Sequence, residues 1–444
     1  MQLNKNRLAV VGPADSVALI SEVAQERGSQ LKVFPIIYQD ASEVPEILRR
    51  YDNEIDFWLF SGKVPYCRAV ISGNTQKPLY YIPHTGSSLY RVLVQIANSE
   101  KLPINNISFD TFSKKEIEEA FADISPDIPR FYLLEYDGVI SAGDVADYHY
   151  ELWKSGKIEA AVTCFLSSYQ KLRGLGVPAF RIWPTRDTIR TMLSVAISEV
   201  EASRFKGGQI AIQHIAIDGY EDFIRESASN YAAKRTEMRL YELLLNYTEA
   251  VKGSIILHGN GQYTIYSTRG VVEELTRQFT VMPILDDVTR ELVVGVSGGI
   301  GFGSTAYAAE ENAHIALGLA QRAGKGKWMV VLDDKTVCGP LNSATHLRYS
   351  LRADEPAFRE LAAKLNVSAT TVNRIFAACD KLDHATVNAD DLAPYLGITP
   401  RSTRRLLASM VANGLAEVAG EEGFGKGRPR KLYNVNLDRL LPRP

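Results

Sequence analysis

Short apolar runs alternate with amphipathic stretches of helical length through the first two hundred positions. The runs fall at 8–12, 31–37, 56–60 and 79–83, and again at 107–109, 131–135, 160–165 and 179–183. Near-continuous apolar strands separated by helices predict βαβ units around parallel sheets. Two such sets, closed by a long helix over about 187–205, predict two Rossmann-like lobes spanning 1–205. From Gly208 the pattern changes to a strand (QIAIQHIAID), a long helix to about Val251, and a strand pair whose Asn260-Gly261 junction is a strong hairpin signal. A helix, the strand ELVVGVSGGIGFG, a further helix and the strand KWMVVLDD complete an α+β domain over 206–340. A linker helix over 357–365, within 341–367, leads to a C-terminal domain at 368–444.

That last domain carries the sharpest local signals. Val372, Ile375, Phe376 and Cys379 share one face of a helix over 370–382. A second helix opens at Asn388 and stops at Gly397, a residue suited to the left-handed turn after a helix. The third takes Thr399 as cap and Pro400 as first residue, then places Arg401, Ser402, Thr403, Arg404 and Arg405 in its first two turns. A strand pair follows, its tip carrying Lys426, Arg428, Arg430 and Lys431.

Composition narrows the classes. A chain of 444 residues exceeds one ordinary core, and 45% hydrophobic with 23% charged residues excludes a disordered or fibrous protein. The net charge of −2 conceals an asymmetry: residues 347–444 hold fifteen Lys and Arg against eleven Asp and Glu, so basic charge gathers where a polyanion would be met. Cys67, Cys164, Cys338 and Cys379 form no CxxC pair, so neither a disulfide framework nor a metal site is expected and a reducing cytoplasm fits. No apolar stretch reaches membrane-spanning length, and no cofactor or membrane partner is expected.

Residues just beyond the carboxyl ends of parallel strands are where open α/β sheets bind ligands. In the first lobe these are Gly12, Asp15, Ser16, Ser61, Gly62, His84, Thr85, Ser87 and Ser88, and in the second Cys164, Ser167, Ser168 and Arg186. Hydroxyls beside helix amino termini suit an anionic or polyhydroxylated small molecule, although each Ser, Thr or Asp can equally serve as a helix cap. His84 has no acid or nucleophile beside it in sequence and is expected to be structural.

Three resemblances extend this picture. DFWLFSGKVPYCRAV…KPLYYIPHTGSSLYRVLVQIA with AAVTCFLSSYQKLRGLGVPAFRIWPTRDTIRTMLSVAI resembles the sensor domain of propionate-catabolism-type regulators, which implies small-metabolite binding between the lobes. The segment 208–336, with GIGFGSTAYAAEENAHIAL, resembles the nucleotidyl cyclase fold of GGDEF-type domains and GTP cyclohydrolase III. That fold needs carboxylates to hold divalent metal against phosphates. Here the family's leading aspartate falls at Ala216, the acidic turn residue at Gln262, and Asp218 alone keeps an acidic position, so a non-catalytic domain is expected. The glycines at 298, 299, 301 and 303 lack the Lys of a P-loop and are expected to form a plain turn, with Glu310 and Glu311 on a solvated helix face. Residues 368–436 resemble the winged helix-turn-helix superfamily, which implies a recognition helix in the major groove and a basic wing on phosphate. FRELAAKLNVSATTVNRI, just upstream, leaves a tandem arrangement open.

The chain therefore predicts a ligand-responsive DNA-binding transcription regulator, a homodimer acting on double-stranded DNA and a small-molecule effector. The alternatives are a nucleotide-acting enzyme of the cyclase-like fold with a DNA-binding control module, and a DNA-binding scaffold without a ligand.

Overall fold

The structure, a computed structural model, describes the chain except residues 1–4, 100–101, 125–127, 137, 353–355, 383–385, 423–429 and 436–444. It divides into two units, Met1–Ser203 and Arg204–Pro444. The fold class is mixed α/β, with parallel Rossmann-like sheets in the first unit.

In the first unit every apolar run becomes a strand. The first lobe comprises β1 (Asn6–Gly12), α1 (Ala14–Gln25), β2 (Leu31–Ile37), α2 (Val44–Tyr51), β3 (Phe57–Phe60), α3 (Lys63–Ser72) and β4 (Leu79–Tyr81), followed by α4 (Gly86–Ser99). The second comprises β5 (Ile107–Phe109), α5 (Lys114–Ile124), β6 (Phe131–Leu133), α6 (Ala142–Lys154), β7 (Ala160–Thr163), α7 (Leu166–Gly174) and β8 (Ala179–Arg181), followed by α8 (Arg186–Gly207). The strands order as β2-β1-β3-β4 and β6-β5-β7-β8, all parallel. Both faces of each sheet are covered. Leu8, Val10, Phe57 and Leu59 pack with Ile189, Leu193 and Ala196 of α8, while Ala9, Val11, Trp58 and Phe60 pack with Val44 and Leu48 of α2. This two-sided burial explains why FWLF reads as an unbroken apolar run, each side chain contributing about 1.5–3 kcal/mol. The chain crosses twice: α4 lays Leu89, Val92 and Ile96 on the second lobe's sheet, and α8 returns to the first.

The second unit is built on β9 (Ile210–Ile217), α9 (Tyr220–Glu226), α10 (Asn230–Ala250), β10 (Ser254–Gly259), β11 (Gln262–Thr268), α11 (Arg269–Leu275), α12 (Ile284–Glu291), β12 (Val296–Gly303), α13 (Ala306–Ala323), β13 (Trp328–Val331), β14 (Thr336–Gly339) and β15 (Leu347–Ser350). They form one sheet in the order β10-β11-β9-β12-β13-β14-β15. Asn260 and Gly261 take φ of 50° and 66°, the left-handed pair of the mirror-type turn. The glycine-rich segment is corrected: it is no turn but the buried central strand β12. A Cβ at Gly299 would lie 2.1 Å from Leu317 N and one at Gly301 2.1 Å from Ala313 N, so bare positions let α13 rest directly on the sheet. The linker is corrected as well, since residues 347–350 are the sheet's edge strand β15.

The chain continues as α14 (Pro356–Leu365), α15 (Ala369–Leu382), β16 (Val387–Asn388), α16 (Ala389–Leu396), α17 (Pro400–Ala412), β17 (Ala416–Glu422) and β18 (Arg430–Val435), with a small sheet β16-β18-β17. Asn388 Oδ1 caps α16 by accepting from the N–H groups of Asp390 and Asp391, each at 2.9 Å. Gly397, with φ 61°, ends that helix, and Arg374 Nε donates to the Tyr395 carbonyl at 2.9 Å, bracing the turn. Rather than a linker, α14 is part of this core: Leu361, Ala362 and Leu365 pack with Val372, Ile375 and Met410. The same core includes Val337, Leu347 and Tyr349 from the large sheet, and Asn373 donates to the Ser350 carbonyl at 2.8 Å.

Candidate ligand cluster and nucleic-acid interface

Strand ends of the two lobes of the first unit bring several named residues together. Gly12 closes β1 beside Ser61, and a Cβ there would lie 2.5 Å from Ser61 Oγ. Ser61 hydrogen-bonds the buried Tyr38, whose hydroxyl burial holds protonated. Asp15 accepts from Ser16 N at 2.6 Å and pairs across the lobes with Arg181, which also donates to Ser16 Oγ at 3.2 Å. Burial pushes the Arg181 guanidinium down to about 10, still charged at neutral pH; it lies 4.8 Å from the Trp183 ring centre. The Cys164 backbone N–H donates to Asp110 Oδ1 at 3.3 Å, and burial with that carboxylate raises the thiol, which favours its protonated form.

His84 lies against Gly62, 4.0 Å from a Cβ placed there. Burial pushes its imidazole down to about 4, with Asp110 opposing and Arg91 reinforcing the shift. His84 Nδ1, Arg68 Nε and Arg181 Nε are buried and find no hydrogen-bond partner among the described residues. Such orphaned polar atoms cost free energy unless a ligand or water meets them.

Between its ordinary 6.5 and about 4, His84 binds fewer protons folded than unfolded, so it contributes full stability above 6.5 and loses it as pH falls. Urea melts of the full chain should therefore weaken through that window by up to about 1.4 kcal/mol per pH unit for this group. In His84→Asn that part of the slope should vanish, and an unaltered slope would refute the assignment.

Several other predicted ligand residues make hydrogen bonds or ion pairs within the framework. Thr85 Oγ1 and Ser87 Oγ bond each other at 2.8 Å at the start of α4, Ser88 is buried beside them, and Ser168 Oγ donates to the Ala142 carbonyl at 2.6 Å. Ser167 and Arg186 are exposed, Arg186 paired with Glu22 at 2.8 Å. Sequence reasoning missed Tyr38, Arg68, Asp110 and Arg181; the available signal was a charged residue in the apolar run AFRIW.

In the second unit Gln262 stands directly opposite Ala216 in the sheet register. Asp218 accepts from Ser297 Oγ at 2.9 Å and Gly326 N at 2.7 Å, which commits it to joining β12 to the loop before β13. Glu311 bonds Lys335 at 3.2 Å, but Glu310 shares a cluster with His214 and His314 that the sequence did not suggest, although Glu310 and His314 stand four apart on one helix.

At the amino end of α17, Thr399 Oγ1 accepts from Ser402 N at 3.2 Å. Arg401, Ser402, Arg404 and Arg405 are exposed, as are Arg430 and Lys431 on β18. Thr403, expected among the DNA-contacting residues, is instead fully buried, its hydroxyl donating to the Thr399 carbonyl at 3.1 Å. Asp390 joins helix to strand by pairing with Arg404 at 3.2 Å and Arg430 at 3.3 Å. Lys426 and Arg428 lie outside the described residues.

No known family profile and no curated protein matches the sequence. Solved structures with partial likeness include an NtrC-family transcriptional regulator from Clostridium acetobutylicum, at 12% identity and TM-score 0.35, covering 45% of this chain and 100% of that one. The transcription regulator CcpA of Lactococcus lactis is similar at 12% identity and TM-score 0.28, covering 45% and 92%. A sensory box/GGDEF family protein from Caulobacter crescentus is similar at 25% identity and TM-score 0.22, covering 31% and 93%. Among the described residues no helix is long and apolar enough to cross a membrane.

Proposed function

We propose that the chain is a ligand-responsive DNA-binding transcription regulator in which residues 1–205 sense, 206–340 form a non-catalytic cyclase-like domain and 368–444 grip DNA as a winged helix. The observation that carries this is the amino end of α17, where Arg401, Arg404 and Arg405 stand exposed beside the basic strand β18. Arginines so placed can pair bidentately with guanine or bind phosphate once the helix enters a major groove. A homodimer would present two such helices to a two-fold operator. The commitment of Asp218 to structural hydrogen bonds and the Ala216–Gln262 pairing support a domain without metal-assisted nucleotide chemistry. The inter-lobe guanidinium and hydroxyl groups suit a small anionic or polyhydroxylated effector, through charge-assisted hydrogen bonds. Ligand binding then shifts a two-state equilibrium that alters operator affinity.

Sequencing of genomic fragments captured by the purified full chain at near-physiological salt should enrich one or a few sites with two-fold symmetry. Arg181→Met should retain that binding while abolishing its response to an effector found by thermal shift across a metabolite panel. No enrichment over bulk DNA would reject the regulator, and an intact response in the variant would reject the inter-lobe site.

A further inference from the structure

Residues 212, 214 and 216 of β9 share one side of the sheet, where Ile212 packs against Ala309 and Ala313 of α13. His214 comes next, opposite Thr264 on β11 and Gly299 on β12. Because Gly299 carries no side chain, α13 descends far enough for His314 to lie over His214, ring centres 4.1 Å apart. Glu310, one helical turn before His314, completes a group whose ligand atoms all lie within 4.8 Å of one another.

His214 is 9% exposed, and its two ring nitrogens are used differently. Nδ1 lies 2.9 Å from Thr264 Oγ1, which also lies 2.9 Å from His258 Nε2. Nε2 is buried, and no partner meets it among the described residues. A ligating histidine characteristically donates its second N–H to a neighbour that fixes its tautomer. The Thr264 hydroxyl can accept from His214 Nδ1–H and donate to His258 Nε2, which leaves the His214 Nε2 lone pair free.

We propose that His214, Glu310 and His314 bind one zinc-class divalent cation, with a fourth position open to water. Two imidazoles and a carboxylate suit Zn2+ at about 2.0–2.2 Å, and three protein ligands leave a coordination position free. Glu310 and His314 are exposed, so their side chains can rotate to close the distance and the ion can enter from solvent. A bound ion would pin α13 to β9 through the side chains that the glycine row brings together.

The untagged full chain, stripped by chelator, should take up one Zn2+ in competition with a chromophoric indicator. His314→Ala and Glu310→Gln, both at exposed positions, should each weaken that binding at least about tenfold, with circular dichroism unchanged. Thr264→Val, which removes the hydroxyl that orients His214 and also bonds His258 but leaves all three ligands in place, should weaken it by about tenfold or more. Absence of binding at micromolar Zn2+, or binding that neither ligand variant alters, would overturn the assignment.

Discussion

Gly301→Val should lower the stability of the second unit by more than about 3 kcal/mol, the upper range for overpacking, and should abolish DNA binding at 37 °C. The added Cβ would lie 2.1 Å from Ala313 N and 2.2 Å from Ala309 O. Both atoms are helix backbone, so no rotamer change relieves the clash. Either α13 lifts off the sheet, uncovering the contact of Ile212 with Ala309 and Ala313, or β12 bends and disturbs Ile300 and Phe302 on the opposite face. Gly318→Ala supplies the internal comparison, because nothing lies within 4 Å of its Cβ position. It should be neutral or stabilising by up to about 1 kcal/mol, since alanine loses less backbone entropy in a helix. Urea melts of both variants decide the matter, and a Gly301→Val midpoint equal to that of the parent would show that α13 does not depend on the bare strand.

Alanine at Arg404 and Arg405 together should weaken operator binding by about 1–3 kcal/mol for each of the two side chains that reads a base. For each that holds a phosphate instead, the slope of log affinity against log salt should fall by about 0.9. The two arginines should differ. Arg404 already shares Asp390 with Arg430, so its binding to DNA must compete with an ion pair that β18 also uses. Asp390→Asn releases both cations and should raise affinity for non-specific duplex, most strongly at low salt. Filter binding across a salt series measures each effect, and a double variant with unchanged affinity and slope would mean that α17 does not face DNA.

Much of this architecture was legible in the sequence for local reasons. Parallel strands buried on both faces leave unbroken apolar runs, so LAVVG and DFWLF announced themselves. Caps are local chemistry too, and Asn388, Gly397 and Thr399 act where their residue types suggest. What stayed hidden depends on partners distant in the chain. GGIGFG looks like a turn until a helix is seen to lie on it. The short strands β14 and β15 carry too few apolar residues to stand out beside a predicted linker. Arg181 meets Asp15 across 166 positions, and His214 and His314 meet only because α13 folds back over β9. Burial likewise removed Thr403 from a face where helical position alone had placed it.

The core that joins Leu347 and Tyr349 of the sheet to Val372 and Ile375 of α15 also bears on how this region melts and can be dissected. A fragment beginning at 368 would leave behind the strand and helix that cover α15, presenting an oily flank to water and favouring aggregation over operator binding. The second unit should thus denature as a single cooperative block. A fragment made to test DNA binding should begin near residue 208, at the first strand of the sheet.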